Sequence, residues 1–224
     1  MRTIFDQKLD ELHRELLRLG LMVNEAIYKS VDTFIELDKT KAHEIIKEDK
    51  KINDMEREIE QKSTELIAVQ QPNASDLRKI IAVLRATSTL ERMGDHAQNI
   101  AEATINIRGN KRDEKMEAII VEMFEKVRSM SKDILDAFVD FNVDKAIEIA
   151  KRDIEVDELY NELRVLTIES MQKDPQTVSA GSDYAFIGMD LERIGDYVTN
   201  ISENIVYLES GEVVDLNHGL KEKM

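Results

Sequence analysis

The chain of 224 residues contains no cysteine and no tryptophan, and it has only two prolines and eight glycines. The absence of cysteine excludes disulfide bonds, thiol nucleophiles and metal sites built on thiolate ligands. So few prolines and glycines cannot supply the frequent turns that a β-sheet protein needs between its short strands. The sequence also lacks a run of about 18 apolar residues, which predicts that no segment spans a bilayer. These absences favour an all-helical protein.

The chain also has fewer basic than acidic residues, with 31 lysines and arginines and 46 aspartates and glutamates, which gives a net charge of -15. This balance disfavours nucleic-acid phosphates and anionic lipid headgroups as partners. It suits a cation or a basic protein partner, or it serves solubility alone. The N-terminal sequence lacks the apolar stretch of a secretory signal. We therefore predict a cytoplasmic protein that inserts into no membrane and binds no nucleic acid.

Two segments of thirteen residues are near copies of each other. Residues 90–102 read LERMGDHAQNIAE and residues 191–203 read LERIGDYVTNISE, with eight identical positions. Other stretches of the two halves also match, for example residues 31–34 with residues 135–138, which lie 104 positions later. The distance between matching positions falls to 103 at the two prolines and to 101 at the two segments of thirteen residues. Such a repeat indicates a duplicated unit. The predicted domains are residues 1–109 and 110–210, followed by a loose tail at 211–224.

Apolar residues in each half follow the spacing of three and four that is typical of helices. The six predicted helices span about residues 5–37, 40–70, 75–107, 113–141, 144–173 and 177–208. Asp38 or Thr40 is predicted to cap the second helix, and Asn73 or Ser75 the third. Long helices with short connections pack as antiparallel neighbours. The predicted fold is therefore all-α, with two tandem, homologous antiparallel three-helix bundles joined by a turn at residues 108–111.

Acidic side chains border the apolar seams of the third and sixth helices. Glu91 and Asp95 lie four residues apart in the third helix, and Glu192 and Asp196 repeat this spacing in the sixth. Like charges at this spacing destabilise a helix by about 0.2–0.5 kcal/mol per pair. Their presence in both halves therefore suggests that a bound cation offsets the repulsion. A glycine inside each segment, at positions 94 and 195, allows a neighbouring helix or a ligand to approach closely.

A neighbouring helix in each half supplies further oxygen ligands. These are Asp49 and Asn53 on the second helix, and Asp153 and Asp157 on the fifth. In an antiparallel bundle these side chains can approach the acidic pairs of the third and sixth helices. Hard cations prefer such oxygen ligands. The two pairs of helices therefore predict two metal sites, one in each half.

A structural explanation of the same residues remains open. Glu91 and Glu192 could pair with basic residues, or the acidic stripes could be solvated faces, while the glycines only permit tight packing. The adjacent Arg92 and Arg193 are not expected to be those partners, because neighbouring residues on a helix face different directions. The four histidines, at positions 13, 43, 96 and 218, follow no metal-binding spacing. We predict His96 to be an ordinary surface residue.

The chain resembles the PhoU family of phosphate-transport regulators at its two repeated segments, ERMGDHAQNIAE and ERIGDYVTNISE, and at QPNASDLR in residues 71–78. The match covers the chain from the first helix to about residue 208. The resemblance implies a regulatory adaptor, not an enzyme. Such an adaptor acts with a phosphate ABC transporter and a two-component sensor kinase, and it restrains both phosphate uptake and the starvation response when phosphate is plentiful. Exposed bundle faces additionally predict a homodimer.

Some members of this family bind clusters of iron or another metal through paired acidic motifs. Carried over to this chain, the ligands are Asp49, Glu91 and Asp95 in the first half, and Asp153, Asp157, Glu192 and Asp196 in the second. Asn53 replaces an expected acid, so the first site is expected to bind metal more weakly. The expected ion is iron, zinc, magnesium, calcium or manganese. The alternative function is a carboxylate-bridged metalloenzyme, although the Glu-x-x-His pairs of such helical-bundle enzymes are absent.

Overall fold

The computed structural model describes residues 2–106 and 112–217, and helices make up most of this region. They are α1 (Arg2–Glu36), α2 (Lys39–Gln70), α3 (Ala74–Asn106), α4 (Glu114–Val139), α5 (Val143–Lys151), α6 (Asp153–Lys173) and α7 (Val178–Ser210), with a short 3₁₀ turn at Pro175–Thr177. The described residues contain no strand. The predicted all-α class is therefore confirmed.

Short polar side chains fix the starts of three helices. Asp38 caps α2, Asn73 caps α3 and Asp113 caps α4, each accepting two backbone N–H bonds from the first turn. These bonds satisfy donors that the first turn of a helix leaves unpaired. Of the two candidates predicted for each cap, the protein therefore uses Asp38 and Asn73, not Thr40 and Ser75.

The fifth predicted helix is not continuous, since it divides at Arg152 into α5 and α6. The guanidinium of Arg152 donates to Oδ2 of Asp133 and to Oγ of Ser129 on α4, each at 2.7 Å. Its backbone N–H bonds to the carbonyl of Ile149, three residues earlier, at 3.0 Å. The helix predicted over residues 144–173 is therefore present, but it is interrupted at one residue. The break lies immediately before Asp153, a candidate site residue.

The two halves pack through four of the helices. Helix α3 packs against α7 and helix α1 against α4, while α2 and the α5–α6 pair pack within their own halves. One continuous cluster of buried apolar residues includes members of all seven helices. The apolar seams of α3 and α7 are buried at residues 90, 93, 97 and 100 and at residues 191, 194, 198, 201, 205 and 208. The two bundles therefore share one main core, and a small second cluster is formed by Ala42, Ile45 and Ala101.

Residues 211–217, which are the described part of the expected loose tail, are docked on α7. Gly211 adopts a left-handed φ of 76° and ends the helix, and the backbone N–H of Leu216 then bonds to Glu203 on α7 at 2.9 Å. Ile107, the turn predicted at residues 108–111, and His218 lie outside the described residues. None of the helices described is both long and apolar enough to cross a membrane.

Candidate metal centres

In the second half, the four predicted acidic residues come together where α6 packs against α7. Asp153 and Asp157 lie on the first two turns of α6, and Glu192 and Asp196 lie near the middle of α7. Burial raises the pKa of each of the other three carboxyls, and the charge of Asp196 adds to each rise. Repulsion of this kind acts over short distances. These four residues therefore form one cluster, which we call the second site.

Asp153 is the most deeply buried member of the second site, with 2% of its surface exposed. Its Oδ2 accepts a hydrogen bond from Oγ1 of Thr199 at 3.3 Å, whereas Oδ1 has no partner among the described residues. Burial, followed by the charges of the neighbouring carboxylates, raises the pKa of Asp153 to about 8. A buried oxygen without a donor is costly. Oδ1 of Asp153 is therefore an atom that a proton or a cation would stabilise.

Gly195 allows this carboxylate to approach α7. A Cβ atom at position 195 would collide with Oδ1 of Asp153. In the first half, a Cβ on Gly94 would meet two side-chain atoms of Ile52 at 3.2 Å and Oδ1 of Asp49 at 3.7 Å. Both glycines therefore serve the close approach of a neighbouring helix, and the fit is tighter in the second half.

The other members of the second site are half-buried. Burial raises the pKa of Glu192 to about 7 and that of Asp157 to about 6, and the charge of Asp196 adds to both shifts. Arg193 lies 3.0 Å from Oδ2 of Asp196 and 3.6 Å from Oε2 of Glu192. The expectation that Arg193 does not pair with the adjacent Glu192 is therefore wrong, and Arg193 also pairs with Asp196. Arg193 is half exposed, so these pairs stabilise the protein little.

The first half contains a smaller cluster between α2 and α3, which we call the first site. Asp49 is 8% exposed, and burial together with the charge of Asp95 raises its pKa. Oδ2 of Asp49 accepts a hydrogen bond from Nδ2 of Asn53 at 2.9 Å, which opposes that rise. Oδ1 of Asp49 and Oδ1 of Asn53 have no partner in the described part of the chain. Burial and the charges of Asp95 and Asp49 likewise raise the pKa of Glu91.

Glu56 belongs to the first site, although the comparison of the two halves does not reveal it. Burial raises the pKa of Glu56 and the charge of Asp95 adds to the rise, while Glu56 in turn raises the pKa of Glu91. Its position in the repeat corresponds to Tyr160 in the second half, so no shared motif marks it. The only signal in the sequence is its spacing of seven residues from Asp49, which places both on one helix face.

The donors of both sites suit a hard cation. Carboxylate and amide oxygens are the preferred ligands of such ions, and Asp49 and Asp153 each hold a buried oxygen without a partner. Within residues 2–106 and 112–217, no three Asp, Glu or His side chains already lie close enough to share one ion. A bound ion would therefore have to draw the carboxylates of α2 and α3, or of α6 and α7, closer together. A bound ion would reduce the repulsion between the carboxylates of each site, which protonation of those carboxylates reduces when no ion is bound.

His96 is not an isolated surface residue, contrary to the prediction. Its Nδ1 lies 2.7 Å from Oδ1 of Asp190, which is buried on α7, and its ring packs 5.5 Å from that of Tyr197. The charge of His96 also opposes the rise in the pKa of Glu192. His96 therefore belongs to the first half by sequence but lies beside the second site.

These features define a class: an all-helical protein of two repeated units, with an acidic cluster between two helices of each unit. The family model of the PhoU domain matches residues 16–104 and 120–205. The two matched regions begin 104 residues apart and end 101 residues apart, which are the offsets of the internal repeat. The chain belongs to the PhoU family.

Relatives match along nearly the whole chain. The phosphate-specific transport system accessory protein PhoU homolog of Clostridium acetobutylicum is 44% identical over 217 residues, covering 96% of this chain and 99% of the relative. The crystal structure of the phosphate transport system regulatory protein PhoU from Streptococcus pneumoniae is 38% identical, with a TM-score of 0.88, over 94% of this chain and 99% of that one. The crystal structure of PhoU from Pseudomonas aeruginosa has 31% sequence identity and a TM-score of 0.89, and the match covers 93% of this chain and 100% of that one.

The predicted family and the predicted tandem arrangement are therefore confirmed. The relatives are described as accessory and regulatory proteins, in agreement with the prediction that the chain is not an enzyme.

Proposed function

We propose that this protein is a cytoplasmic adaptor of phosphate uptake. It binds components of a phosphate ABC transporter and a two-component sensor kinase, and it restrains both when phosphate is plentiful. The observation that supports this proposal is the match to the PhoU family in both halves, together with relatives named as accessory proteins of the phosphate-specific transport system. Those names also favour an adaptor over a metalloenzyme.

The charge of the protein supports a basic binding partner. A net charge of -15 favours association with positively charged segments of the transporter or the kinase. Attraction of this kind accelerates association and is screened by salt. Binding to membranes that carry these partners should therefore weaken as the salt concentration rises.

We further propose that both acidic clusters bind cations. Asp49, Asn53, Glu91 and Asp95, with Glu56, would hold an ion in the first site, and Asp153, Asp157, Glu192 and Asp196 in the second. The bound ion would neutralise carboxylates whose mutual repulsion raises their pKa values. It would thereby hold α2 against α3, or α6 against α7. The second site has four carboxylates from the predicted set and should bind more tightly.

The proposed domains are residues 1–109 and 110–210, each a PhoU-like bundle, with residues 211–224 as the tail. A homodimer is proposed because large apolar side chains remain exposed on the second half. Val165 and Ile168 on α6 are 51% and 49% exposed, and Phe186 on α7 is 56% exposed. A second copy of the chain would cover such residues.

The adaptor proposal is tested by a pull-down from membranes of cells grown in high and in low phosphate. The tagged full-length protein serves as bait, and a helical protein of similar size and net charge serves as the control. We expect the bait, but not the control, to retain the transporter ATPase or the sensor kinase, more strongly from high phosphate. Retention of neither protein under both conditions contradicts the adaptor function.

The metal proposal is tested separately by elemental analysis of the purified protein and of Asp196→Ala and Asp95→Ala variants. Each variant should lose the metal of its own half. Metal content that is unchanged in both variants contradicts the assignment of the sites.

A further inference from the structure

Residues 212–217 run back along α7 and reach the second site. The backbone N–H of Leu216 donates to Oε1 of Glu203 at 2.9 Å, and Nδ2 of Asn217 donates to Oδ1 of Asp196 at 2.8 Å. The backbone N–H of Asn217 also donates to Oδ1 of Asp215 at 3.0 Å, which shapes the turn that presents the Asn217 side chain. The end of this segment is thus fixed to a candidate metal ligand.

The length of the segment matches this contact. Gly211, with φ of 76°, ends α7 and reverses the direction of the chain. At 1.5 Å per residue, Asp196 lies about 22 Å back along the helix from Gly211. Six residues span at most about 20 Å, so the side chains of Asn217 and Asp196 cover the remaining distance. The segment is therefore just long enough for the side chain of Asn217, its sixth residue, to reach Asp196.

The contact uses an acceptor direction of Asp196 that an ion could otherwise use. Both oxygens of Asp196 accept hydrogen bonds, Oδ1 from Asn217 and Oδ2 from Arg193 at 3.0 Å. Metal–oxygen bonds are about 2.0–2.6 Å long, so an ion that approached Oδ1 from the direction of Asn217 would overlap with the amide nitrogen, which lies 2.8 Å from that oxygen. The same amide presents hydrogens with a partial positive charge, which repel a cation.

We propose that residues 212–217 form an intramolecular strap over the second site, and that the strap and a divalent cation compete for Asp196. The proposal rests on the cation-binding part of the proposed function. Because coupling between two binding events is reciprocal, the strap weakens cation binding by the same factor by which the cation weakens docking of the strap. A cation would therefore release residues 212–217 from α7.

The first site provides an internal control. Asp95 is the counterpart of Asp196 in the repeat. In the part of the chain that the structure describes, no segment following α3 donates a hydrogen bond to Asp95, because residues from 112 onward lead into α4 instead. Removal of the strap should therefore change cation affinity in the second half alone.

The test measures Mn²⁺ binding by calorimetry in three proteins: the full chain, the chain ending at Gly211, and the full chain with Asn217→Ala. Each is prepared with Asp95→Ala, to isolate the second site, and separately with Asp196→Ala, to isolate the first. Circular dichroism verifies that the helices are intact. At the second site we expect both alterations to tighten Mn²⁺ binding by about two- to tenfold, the factor for one hydrogen bond, with no change at the first site.

Hydrogen exchange provides a second readout in the unaltered full chain. Saturating Mn²⁺ should accelerate exchange of the Leu216 amide, which is bonded to Glu203 in the docked strap. Unchanged or weaker Mn²⁺ binding after removal of the strap, or unchanged exchange at Leu216, overturns the competition while leaving the cation site intact. If Mn²⁺ binds to the second site in none of the three proteins, both the site and the competition are rejected.

Discussion

His96 of the first half and Asp190 of the second half are joined by a contact of 2.7 Å between Nδ1 and Oδ1. They lie on α3 and α7, through which the two halves pack. Asp190 is 3% exposed, and it also accepts a hydrogen bond from Nδ2 of Asn99 at 3.3 Å. Both donors to this buried carboxylate come from the other half. The polar contact therefore links the two halves, as do the hydrogen bonds between Asn24 on α1 and Ser131 on α4.

Replacement of His96 by alanine is expected to destabilise the protein. Loss of this donor leaves Asp190 buried with a single weak partner, which should lower the free energy of unfolding by about 1–3 kcal/mol. Urea denaturation measures this change, and His43→Ala, at an exposed position of α2, is the control. In a double-mutant cycle with Asp190→Ala, strictly additive effects would show that the pair does not stabilise the contact between the halves.

A methyl group at position 195 is expected to separate α6 from α7. Alanine favours a helix over glycine by about 1 kcal/mol, but its Cβ would collide with Oδ1 of Asp153. We expect Gly195→Ala to lower the free energy of unfolding by about 1–3 kcal/mol, a typical cost of overpacking. Urea denaturation measures the loss.

Gly94→Ala is the matched control, because the nearest atoms to its Cβ are 3.2 Å away and belong to the Ile52 side chain. It should change stability by less than about 1 kcal/mol, since overpacking there is offset by helix propensity. The cost of Gly195→Ala should also shrink when Asp153 is replaced by alanine. Equal costs at positions 94 and 195 would argue against the collision.

The repeat and the apolar seams are sufficient to predict the helices and their assignment to two bundles. The helices of each half bury a continuous stripe of apolar residues, and the spacing of these residues in the sequence identifies the helix faces that pack against other helices. The division of the fifth helix is not predictable in this way. No proline or glycine lies near Arg152, and the break coincides with bonds to Asp133 and Ser129 on another helix.

The candidate site was partly predictable for similar reasons. The spacing of four residues on α2, α3, α6 and α7 places carboxylates on facing helices, so their approach follows from the fold. Glu56 has Tyr160 as its counterpart, so the comparison of halves does not identify it. Asn217 lies in a segment without periodicity and reaches Asp196 only because the chain reverses at Gly211.

The raised pKa of Asp153 predicts that stability depends on pH. The pKa is about 8 in the folded protein, against the ordinary value of 3.8 that applies in the unfolded chain. Between these values the folded state binds more protons than the unfolded state, so the free energy of unfolding falls as the pH rises from about 4 to about 8. Asp153→Asn cannot ionise, so it should lack this loss.

We therefore expect Asp153→Asn to melt at least a few degrees above the unaltered protein at pH 8, with a smaller difference at pH 5. Thermal unfolding followed by circular dichroism in a buffer with chelator measures this difference. Asp54→Asn removes an exposed carboxylate from α2 and controls for the change in net charge. A difference that is the same at both pH values would contradict the raised pKa.

Asn53 occupies the one position of the first site where the chain lacks the acid that the family pattern predicts. A substitution at this position can therefore distinguish an effect on metal binding from an effect on helix packing. Nδ2 of Asn53 donates to Oδ2 of Asp49 at 2.9 Å. Asn53→Asp replaces this donor by a second negative charge, so the protein without added metal should become less stable. The same change replaces a neutral amide ligand by a charged carboxylate, so Mn²⁺ should bind the first site at least tenfold more tightly, a gain of about 1.4 kcal/mol.

Asp157→Asn in the second site is the reverse exchange and should produce the opposite pair of effects. Removal of a half-buried carboxylate relieves repulsion, because the pKa of Asp157 is raised to about 6 by burial and by Asp196. Stability without metal should therefore rise while Mn²⁺ affinity falls. Thermal unfolding with chelator and with excess Mn²⁺ measures both quantities in each variant. A purely structural role for these acids predicts changes in stability alone, so Mn²⁺ affinity that is unchanged in both variants would exclude shared coordination.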